Sequence, residues 1–167
     1  YFLSGRHQQT ANFDYFFRSL PFDGGYVVFA GLGDLLEIIR NFRFHPEELE
    51  YLRSKGFKKE FLSFLEDFEF RGSIYSVREG EIVFPNEPIL RVEGTIVEAQ
   101  ILETVLLNTL NFASLIATKA SRIKQAAGDH AVVDFGLRRA QGLGGLQASK
   151  SSFIGGFQGT SNVLAGK

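Results

Sequence analysis

The order of hydrophobic and polar residues predicts strands followed by a helix in the first 42 positions. Residues 13–30 alternate aromatic and polar side chains and then become apolar around Pro and Gly, which is typical of two strands around a turn. Asp34 and Glu37 have the spacing of a capping box, so a helix is predicted to begin at Asp34. The apolar positions of this helix, which are predicted to be buried, are Leu35, Ile38, Ile39 and Phe42.

Two more helices are predicted before residue 70. The first opens at Pro46, carries Glu47 and Glu48 in its first turn, and ends just before Gly56. The second has an apolar stripe at helical spacing, which we interpret as core and not as a cofactor site. The stripe consists of Phe57, Phe61, Phe64, Leu65 and Phe68.

The pattern changes between residues 73 and 127. Three short strands, separated by Gly and Pro residues, are predicted at Ser73–Val77, Glu81–Phe84 and Ile89–Val92. A long helix is predicted next, roughly from Val97 to Ala127. Polar residues interrupt its apolar positions, so it contains no run of about 20 apolar residues that could span a bilayer.

Residues 129–167 have the pattern of a βαβ unit. The run Ala131–Phe135 is typical of a buried parallel strand, and a Gly-rich loop follows it. An amphipathic helix is predicted at Leu146–Ile154 and a second strand at Phe157–Thr160. Because this pattern differs from the preceding one, we predict a domain boundary near residue 128.

Composition narrows the class of protein. Hydrophobic residues make up 44% of the chain and charged residues 22%, which is ordinary for a folded globular protein. The 18 basic and 19 acidic side chains give a net charge of −1, which argues against a nucleic-acid-binding protein. The absence of Cys excludes disulfides and Cys-ligated metals, and the three His residues are too far apart in sequence to predict a metal site. The chain contains no Met, so we expect it to be an internal piece of a longer protein.

The segment from Asp134 to Gly142 offers the richest chemistry. It places Phe135, Arg138 and Arg139 at the C-terminal end of a predicted parallel strand, where barrels and open sheets build their active sites. Arginine suits bidentate binding of a carboxylate or phosphate, and a Phe ring offers a flat face to a planar ligand. The alternative is a surface arginine pair that bridges to nearby acids.

Other candidate sites have weaker patterns. The glycine loop 142–145 precedes a helix and could hold a phosphate, but it lacks the G-x-G-x-x-G spacing and equally fits a plain turn. The Gly166-Lys167 pair fails the Walker A pattern because Ser161 stands where a glycine is required. Near the end of the long helix are three cations that either contact an anion or complement the helix dipole: Lys119, Arg122 and Lys124.

Motifs along the whole chain occur in the same order as those of one enzyme family. In the C-terminal part they are Phe135-Gly-Leu-Arg-Arg-Ala-Gln-Gly142, Gly144-Gly-Leu-Gln-Ala-Ser149 and Gly155-Gly-Phe-Gln-Gly-Thr-Ser-Asn-Val-Leu-Ala-Gly166. Upstream they are Phe16-Phe-Arg-Ser-Leu-Pro-Phe22, Ala30-Gly-Leu32, Phe84-Pro-Asn-Glu-Pro88, Leu102-Glu-Thr104 and Ala117-Thr-Lys-Ala120. With these motifs the chain closely resembles nicotinate phosphoribosyltransferases.

The resemblance implies a fold and a reaction. The fold is α/β: an α+β N-terminal domain at 1–128 with a connecting helix at 97–127, and at 129–167 the first βαβ part of the irregular, TIM-like α/β barrel of type II phosphoribosyltransferases. The reaction is the ATP-coupled transfer of phosphoribose from 5-phosphoribosyl 1-pyrophosphate to nicotinate, which yields nicotinate mononucleotide and pyrophosphate for NAD salvage. ATP and Mg²⁺ are the implied cofactors. The implied assembly is a homodimer without nucleic-acid or membrane partners.

The resemblance also assigns roles to individual residues. Phe135 corresponds to the ring that stacks on the pyridine, and Arg138 to the arginine beside the base and the phosphoribosyl group. Arg139 is the second arginine of the nicotinate branch, and Ser161 stands where nicotinamide-using relatives carry Asp. The family's phosphorylated histidine lies in a Gly-Thr-x-Ala-His-Ser context that this chain does not contain, so none of its histidines is assigned a catalytic role. Those histidines are His7, His45 and His130.

Two alternatives remain at this stage. One is another type II phosphoribosyltransferase, which uses nicotinamide or quinolinate. The other is a lipoyl-like binding module at residues 72–96, although such modules need an exposed Lys and none occurs between Lys59 and Lys119. No basic stretch followed by an apolar segment opens the chain, so a cytoplasmic location is expected. We also expect the 167-residue chain alone to be inactive, because it lacks the phosphorylated histidine.

Overall fold

A 32-residue helix runs through the middle of the fold, and both a β-sheet and a βαβ unit pack on it. The computed structural model describes residues 1–167. Its strands are β1 Thr10–Tyr15, β2 Val27–Val28, β3 Ser73–Ser76, β4 Ile82–Val83, β5 Leu90–Thr95, β6 Val133–Asp134 and β7 Gly159–Thr160. Its α-helices are α1 Leu32–Asn41, α2 Pro46–Ser54, α3 Lys59–Glu66, α4 Ile96–Ala127 and α5 Gly144–Ile154, and two 3₁₀ turns lie at Pro21–Asp23 and Leu137–Arg139.

The predicted strands exist, but they pair with distant partners. Strand β1 is antiparallel to β5, with Thr10 opposite Thr95 and Tyr15 opposite Leu90, and β3 pairs with the same β5 to complete a three-stranded sheet. Strand β2 pairs only with β4. The two strands predicted around a turn at 13–30 therefore do not form a hairpin, because β5 offers β1 six paired positions whereas β2 is only two residues long.

The long helix begins as predicted, directly after β5. Thr95 is its N-cap, and Glu98 accepts hydrogen bonds from the Thr95 amide at 2.9 Å and the Thr95 hydroxyl at 2.6 Å. By length and composition α4 would suffice to cross a membrane, contrary to the prediction based on its interrupting polar residues. It is instead a core helix, since Leu102, Leu110 and Ala113 are fully buried against the rest of the fold.

Hydroxyl groups of helix α4 accept hydrogen bonds from backbone amides of strand β2 and of the segment that follows it. The Val28 amide donates to Thr118 Oγ1 at 2.9 Å, and the Ala30 amide donates to Ser114 Oγ at 3.1 Å. The chain then turns away at Gly31, where φ is +97° and a Cβ would lie 2.7 Å from the Ala113 methyl. Only glycine fits this close approach between strand and helix.

The predicted cap of α1 is wrong. The helix begins at Leu32, and the carboxylate of Glu79 accepts hydrogen bonds from the Gly31 and Leu32 amides at 2.6 and 2.9 Å. Asp34 lies in the first turn and pairs with Lys150 at 2.7 Å. Of the four apolar positions predicted to be buried, Leu35 and Ile39 are buried, whereas Ile38 is exposed and Phe42 is half-buried.

The apolar stripe of the third helix is core only in part. Leu65 and Phe68 are buried, but Phe57 is 46% exposed and precedes α3. Phe61 and Phe64 are half-buried and contact each other and Phe2 through their rings. The stripe therefore belongs to an aromatic cluster that extends from the core to the surface.

The C-terminal residues form the predicted βαβ unit. Strands β6 and β7 are parallel, with Val133 opposite Gly159 and Asp134 opposite Thr160, and α5 lies between them in sequence and packs on α4. The first strand is shorter than predicted and is not buried, since Val133 is 46% exposed. Its side chain stays exposed because the 167 residues supply only one neighbouring strand. The division of the chain at residue 128 stays a prediction.

Candidate functional site

The parallel pairing of β6 and β7 brings all four predicted binding residues to one edge. Phe135 follows β6 directly, Arg138 lies in the 3₁₀ turn Leu137–Arg139, and Ser161 follows β7. The Ser161 amide donates to the Asp134 carbonyl at 2.9 Å, which joins the two strand ends. We call the edge formed by residues 134–139 and 160–162 the strand-end site.

The side chains that are predicted to bind substrate face solvent. Phe135 is 72% exposed, and Arg138, Arg139 and Ser161 are also exposed. Neither arginine forms an ion pair with a carboxylate of this chain. The alternative of an arginine pair that bridges to nearby acids is therefore wrong, and both guanidinium groups are available to an anionic ligand.

Arg139 differs from the others in its surroundings. It lines an open cavity of about 1460 Å³ between α1, α4 and the βαβ unit, together with Lys119 and Gln147. Phe135, Arg138 and Ser161 do not line this cavity. Asp134, Gly136 and Leu137 line the same cavity, so Arg139 lies where the strand-end site borders it.

Asp134 is the residue of this site that the sequence patterns did not single out. Its Oδ1 accepts a hydrogen bond from the Gly136 amide at 2.8 Å, and its Oδ2 accepts from Ser149 Oγ at 2.6 Å and Thr160 Oγ1 at 3.1 Å. Burial alone would raise the pKa of Asp134, but the bonds from Ser149, Gly136 and Thr160 outweigh burial and lower it. Asp134 is therefore ionised at neutral pH. The sequence signal available for it was an Asp two residues before a Gly, the spacing of an Asx turn.

The glycine loop does not form a phosphate cradle. The Gly144 amide donates to the Gln141 carbonyl at 2.9 Å, and the Gly145 amide donates to the Gly142 carbonyl at 3.3 Å. A Cβ at Gly145 would lie 2.7 Å from Leu137 Cδ1, so this glycine permits α5 to approach the 3₁₀ turn closely. Of the two interpretations of the loop, the structure favours the plain turn.

The three cations near the end of α4 have structural partners. Lys124 Nζ donates to the carbonyls of Gly128 and His130 at 2.8 and 2.9 Å, which caps the helix C-terminus. Arg122 donates to the Phe22 carbonyl at 2.9 Å, and Lys119 Nζ lies 5.9 Å from the centre of the Phe22 ring. For Lys124 and Arg122 the structural interpretation is therefore preferred to an anion site.

The chain does not bring together a metal site. No group of three or more His, Asp or Glu side chains is placed to hold an ion. His7 packs among the rings of Phe2 and Phe64, and His45 precedes α2 as its N-cap.

Comparison with known proteins first identifies the fold class of the chain. A sequence profile described as the nicotinate phosphoribosyltransferase (NAPRTase) N-terminal domain matches residues 1–111. The structure is similar to the crystal structure of a nicotinate-nucleotide pyrophosphorylase from Pyrococcus furiosus, with a TM-score of 0.75 and 28% identity over 98% of this chain and 35% of that one. The fold is that of the type II phosphoribosyltransferases.

Two closer relatives define the family. The crystal structure of human nicotinic acid phosphoribosyltransferase matches with a TM-score of 0.93 and 39% identity, over 99% of this chain and 34% of that one. The nicotinate phosphoribosyltransferase of Bacillus subtilis is 48% identical over 169 aligned residues, which cover 100% of this chain and 34% of the relative. The chain belongs to the nicotinate phosphoribosyltransferase family, and it spans about a third of the length of these relatives.

Proposed function

We propose that the complete protein transfers phosphoribose from 5-phosphoribosyl 1-pyrophosphate to nicotinate, and so forms nicotinate mononucleotide and pyrophosphate. The observation that carries the proposal is the strand-end site, where an exposed ring and an unpaired guanidinium lie beside a neutral hydroxyl. Membership in the family supports the same reaction.

Each residue of the site has a chemical role in this proposal. Phe135 stacks on the pyridine ring, and Arg138 binds the anionic groups of the substrates through charge-assisted hydrogen bonds. Arg139 contributes positive charge from the cavity side. The Ser161 hydroxyl donates to the nicotinate carboxylate, which a carboxylate at this position would repel.

The remaining expectations concern parts of the enzyme outside these residues. ATP coupling would drive the reaction through a phosphorylated histidine elsewhere in the protein, with Mg²⁺ as the second cofactor. A homodimer in the cytoplasm is the proposed form. The names of the relatives favour nicotinate over nicotinamide or quinolinate as the substrate. A lipoyl-like module at 72–96 is not favoured, because β3 and β5 share one sheet with β1.

The proposal is tested with the full-length protein and phosphoribosyl pyrophosphate, given nicotinate, nicotinamide or quinolinate in turn. We expect product from nicotinate at a kcat/KM well above that of the other two bases. Phe135→Ala should raise KM for nicotinate more than KM for phosphoribosyl pyrophosphate, because only nicotinate offers a ring to stack. Phe153→Ala is the matched control, since Phe153 is 68% exposed but lies on α5 away from the strand ends. Equal KM changes in the two variants would remove Phe135 from the site, and no product from nicotinate would refute the function.

A further inference from the structure

Asp134 joins the parts of the strand-end site that are distant in sequence. Its Oδ1 accepts from the Gly136 amide at 2.8 Å, so the carboxylate closes the turn that begins at Phe135. A Cβ on Gly136 would lie 2.9 Å from the same oxygen, so the carboxylate occupies the space that a side chain would need. The backbone just before Arg138 is thereby held against Asp134.

The other oxygen of Asp134 ties this turn to β7 and α5. Oδ2 accepts from Ser149 Oγ at 2.6 Å and from Thr160 Oγ1 at 3.1 Å, and Ser149 is 2% exposed. Thr160 Oγ1 in turn accepts from the Asn162 amide at 3.0 Å. Ser161 therefore lies between two residues that are held through the Asp134 carboxylate.

These hydrogen bonds require both side-chain oxygens of residue 134 to act as acceptors. Three donors converge on Asp134, namely one amide and two hydroxyls. An Asn at this position would keep the shape but place an NH₂ group against one set of donors, so a hydrogen bond would be lost or a hydroxyl would have to rotate.

We propose that Asp134 is a positioning residue, whose carboxylate fixes Phe135 and Arg138 relative to Ser161 for binding of the pyridine substrate. The inference rests on the proposed function and adds to it a residue that need not touch the substrate. It differs from a general contribution to stability, because the bonds of Asp134 converge on the segments that carry the binding residues.

Glu98 supplies a matched control that distinguishes a positioning role from a general contribution to stability. Its carboxylate also accepts three hydrogen bonds, from the Thr95 hydroxyl and the amides of Thr95 and Arg71, and hydrogen bonds lower its pKa as well. It lies at the start of α4, far along the chain from the strand-end site. If Asp134 merely stabilises the fold, Asp134→Asn and Glu98→Gln should have the same kinetic consequences.

The experiment compares Asp134→Asn, Glu98→Gln, Thr160→Val and Thr160→Ser in the full-length protein. Steady-state kinetics give KM for nicotinate, and amide hydrogen exchange reports on residues 135–139 and 161–163. We expect Asp134→Asn and Thr160→Val to raise KM for nicotinate about fivefold or more and to speed exchange in both segments. Thr160→Ser keeps the hydroxyl and should restore both quantities, whereas Glu98→Gln should change neither.

The two proposals fail in different ways. If the wild type uses nicotinate but KM in Asp134→Asn and Thr160→Val stays within about twofold of it, Asp134 has no positioning role. If Asp134→Asn does not fold, the comparison of Thr160→Val with Thr160→Ser shows whether the carboxylate of Asp134 has a positioning role. If the wild type does not use nicotinate, the proposed function is wrong, and unchanged exchange in both segments would then refute the positioning role as well.

Discussion

We expect the choice between an acid and an amide to depend on Ser161. Its side chain is exposed at the end of β7, and its amide is bound to the Asp134 carbonyl at 2.9 Å, so substitution leaves the backbone contact in place. Nicotinate carries a carboxylate, to which a hydroxyl donates and which a second carboxylate repels. The carboxylate at the end of β6, that of Asp134, is already occupied by three donors.

We expect Ser161→Asp in the full-length protein to lower kcat/KM for nicotinate at least about tenfold, equivalent to about 1.4 kcal/mol. The cause is the like-charge repulsion between the new carboxylate and that of the substrate. Ser161→Asn is the control, because it adds similar bulk without charge and should lower kcat/KM less. Steady-state kinetics with nicotinate and nicotinamide give the comparison. Equal kcat/KM for nicotinate in wild type and Ser161→Asp would mean that Ser161 does not face the base.

At the scale of elements, the link between β2 and α4 is made by side-chain hydroxyls. We expect Thr118→Val to lower the free energy of unfolding by about 1–3 kcal/mol, because the buried Val28 amide loses its acceptor. Thr118→Ser retains the hydroxyl and should lose less. Denaturant unfolding of the full-length variants measures the difference. A Thr118→Val protein as stable as Thr118→Ser would show that water replaces the lost acceptor.

The junction between β5 and α4 makes stability depend on pH. Burial would raise the pKa of Glu98, but hydrogen bonds from Thr95 and the Arg71 amide hold it below its usual value. The folded state therefore binds fewer protons than the unfolded state near pH 4, and the contribution of Glu98 is present above its unfolded pKa of about 4.3. That contribution is lost as the pH falls through the lower pKa of the folded protein.

We expect Glu98→Gln to destabilise the protein at pH 7 and to flatten the fall in stability from about pH 5 down to about pH 3. Asp14 and Asp134 also have lowered pKa values, so part of the slope should remain. Unfolding by denaturant at several pH values measures this slope for wild type and variant. Parallel curves for the two proteins would contradict the prediction.

The elements also show which interactions sequence patterns can predict. Helix α2 begins at Pro46 as predicted, and Glu48 accepts a hydrogen bond from the His45 amide at 2.7 Å, because these signals lie within one helical turn. The cap of α1 escaped prediction because Glu79 is 47 residues away from Leu32. In the same way, the motif around Phe135 indicated a site, but the convergence of Ser149 and Thr160 on Asp134 depends on how β7 returns beside β6.

At the scale of the whole molecule, the chain spans about a third of the length of its relatives. Strands β6 and β7 form an isolated parallel pair, and Val133, Leu137 and Val163 around them are exposed. We expect the 167-residue chain alone to form no nicotinate mononucleotide under conditions in which the full-length protein does. An assay of both proteins at equal concentration tests this expectation. Product formation by the short chain would mean that the remaining two thirds of the relatives' length is dispensable for chemistry.

Helix α4 has a consequence for the order in which the protein is made. Gly155, at the end of α5, lies against α4, where a Cβ would be 2.7 Å from the Ala120 methyl and would collide with the Ala117 carbonyl. On the ribosome, α4 emerges before α5 and can already be docked on the β-sheet by then. We therefore expect the nascent βαβ unit to pack onto an α4 that is already folded, with Gly155 against Ala117 and Ala120.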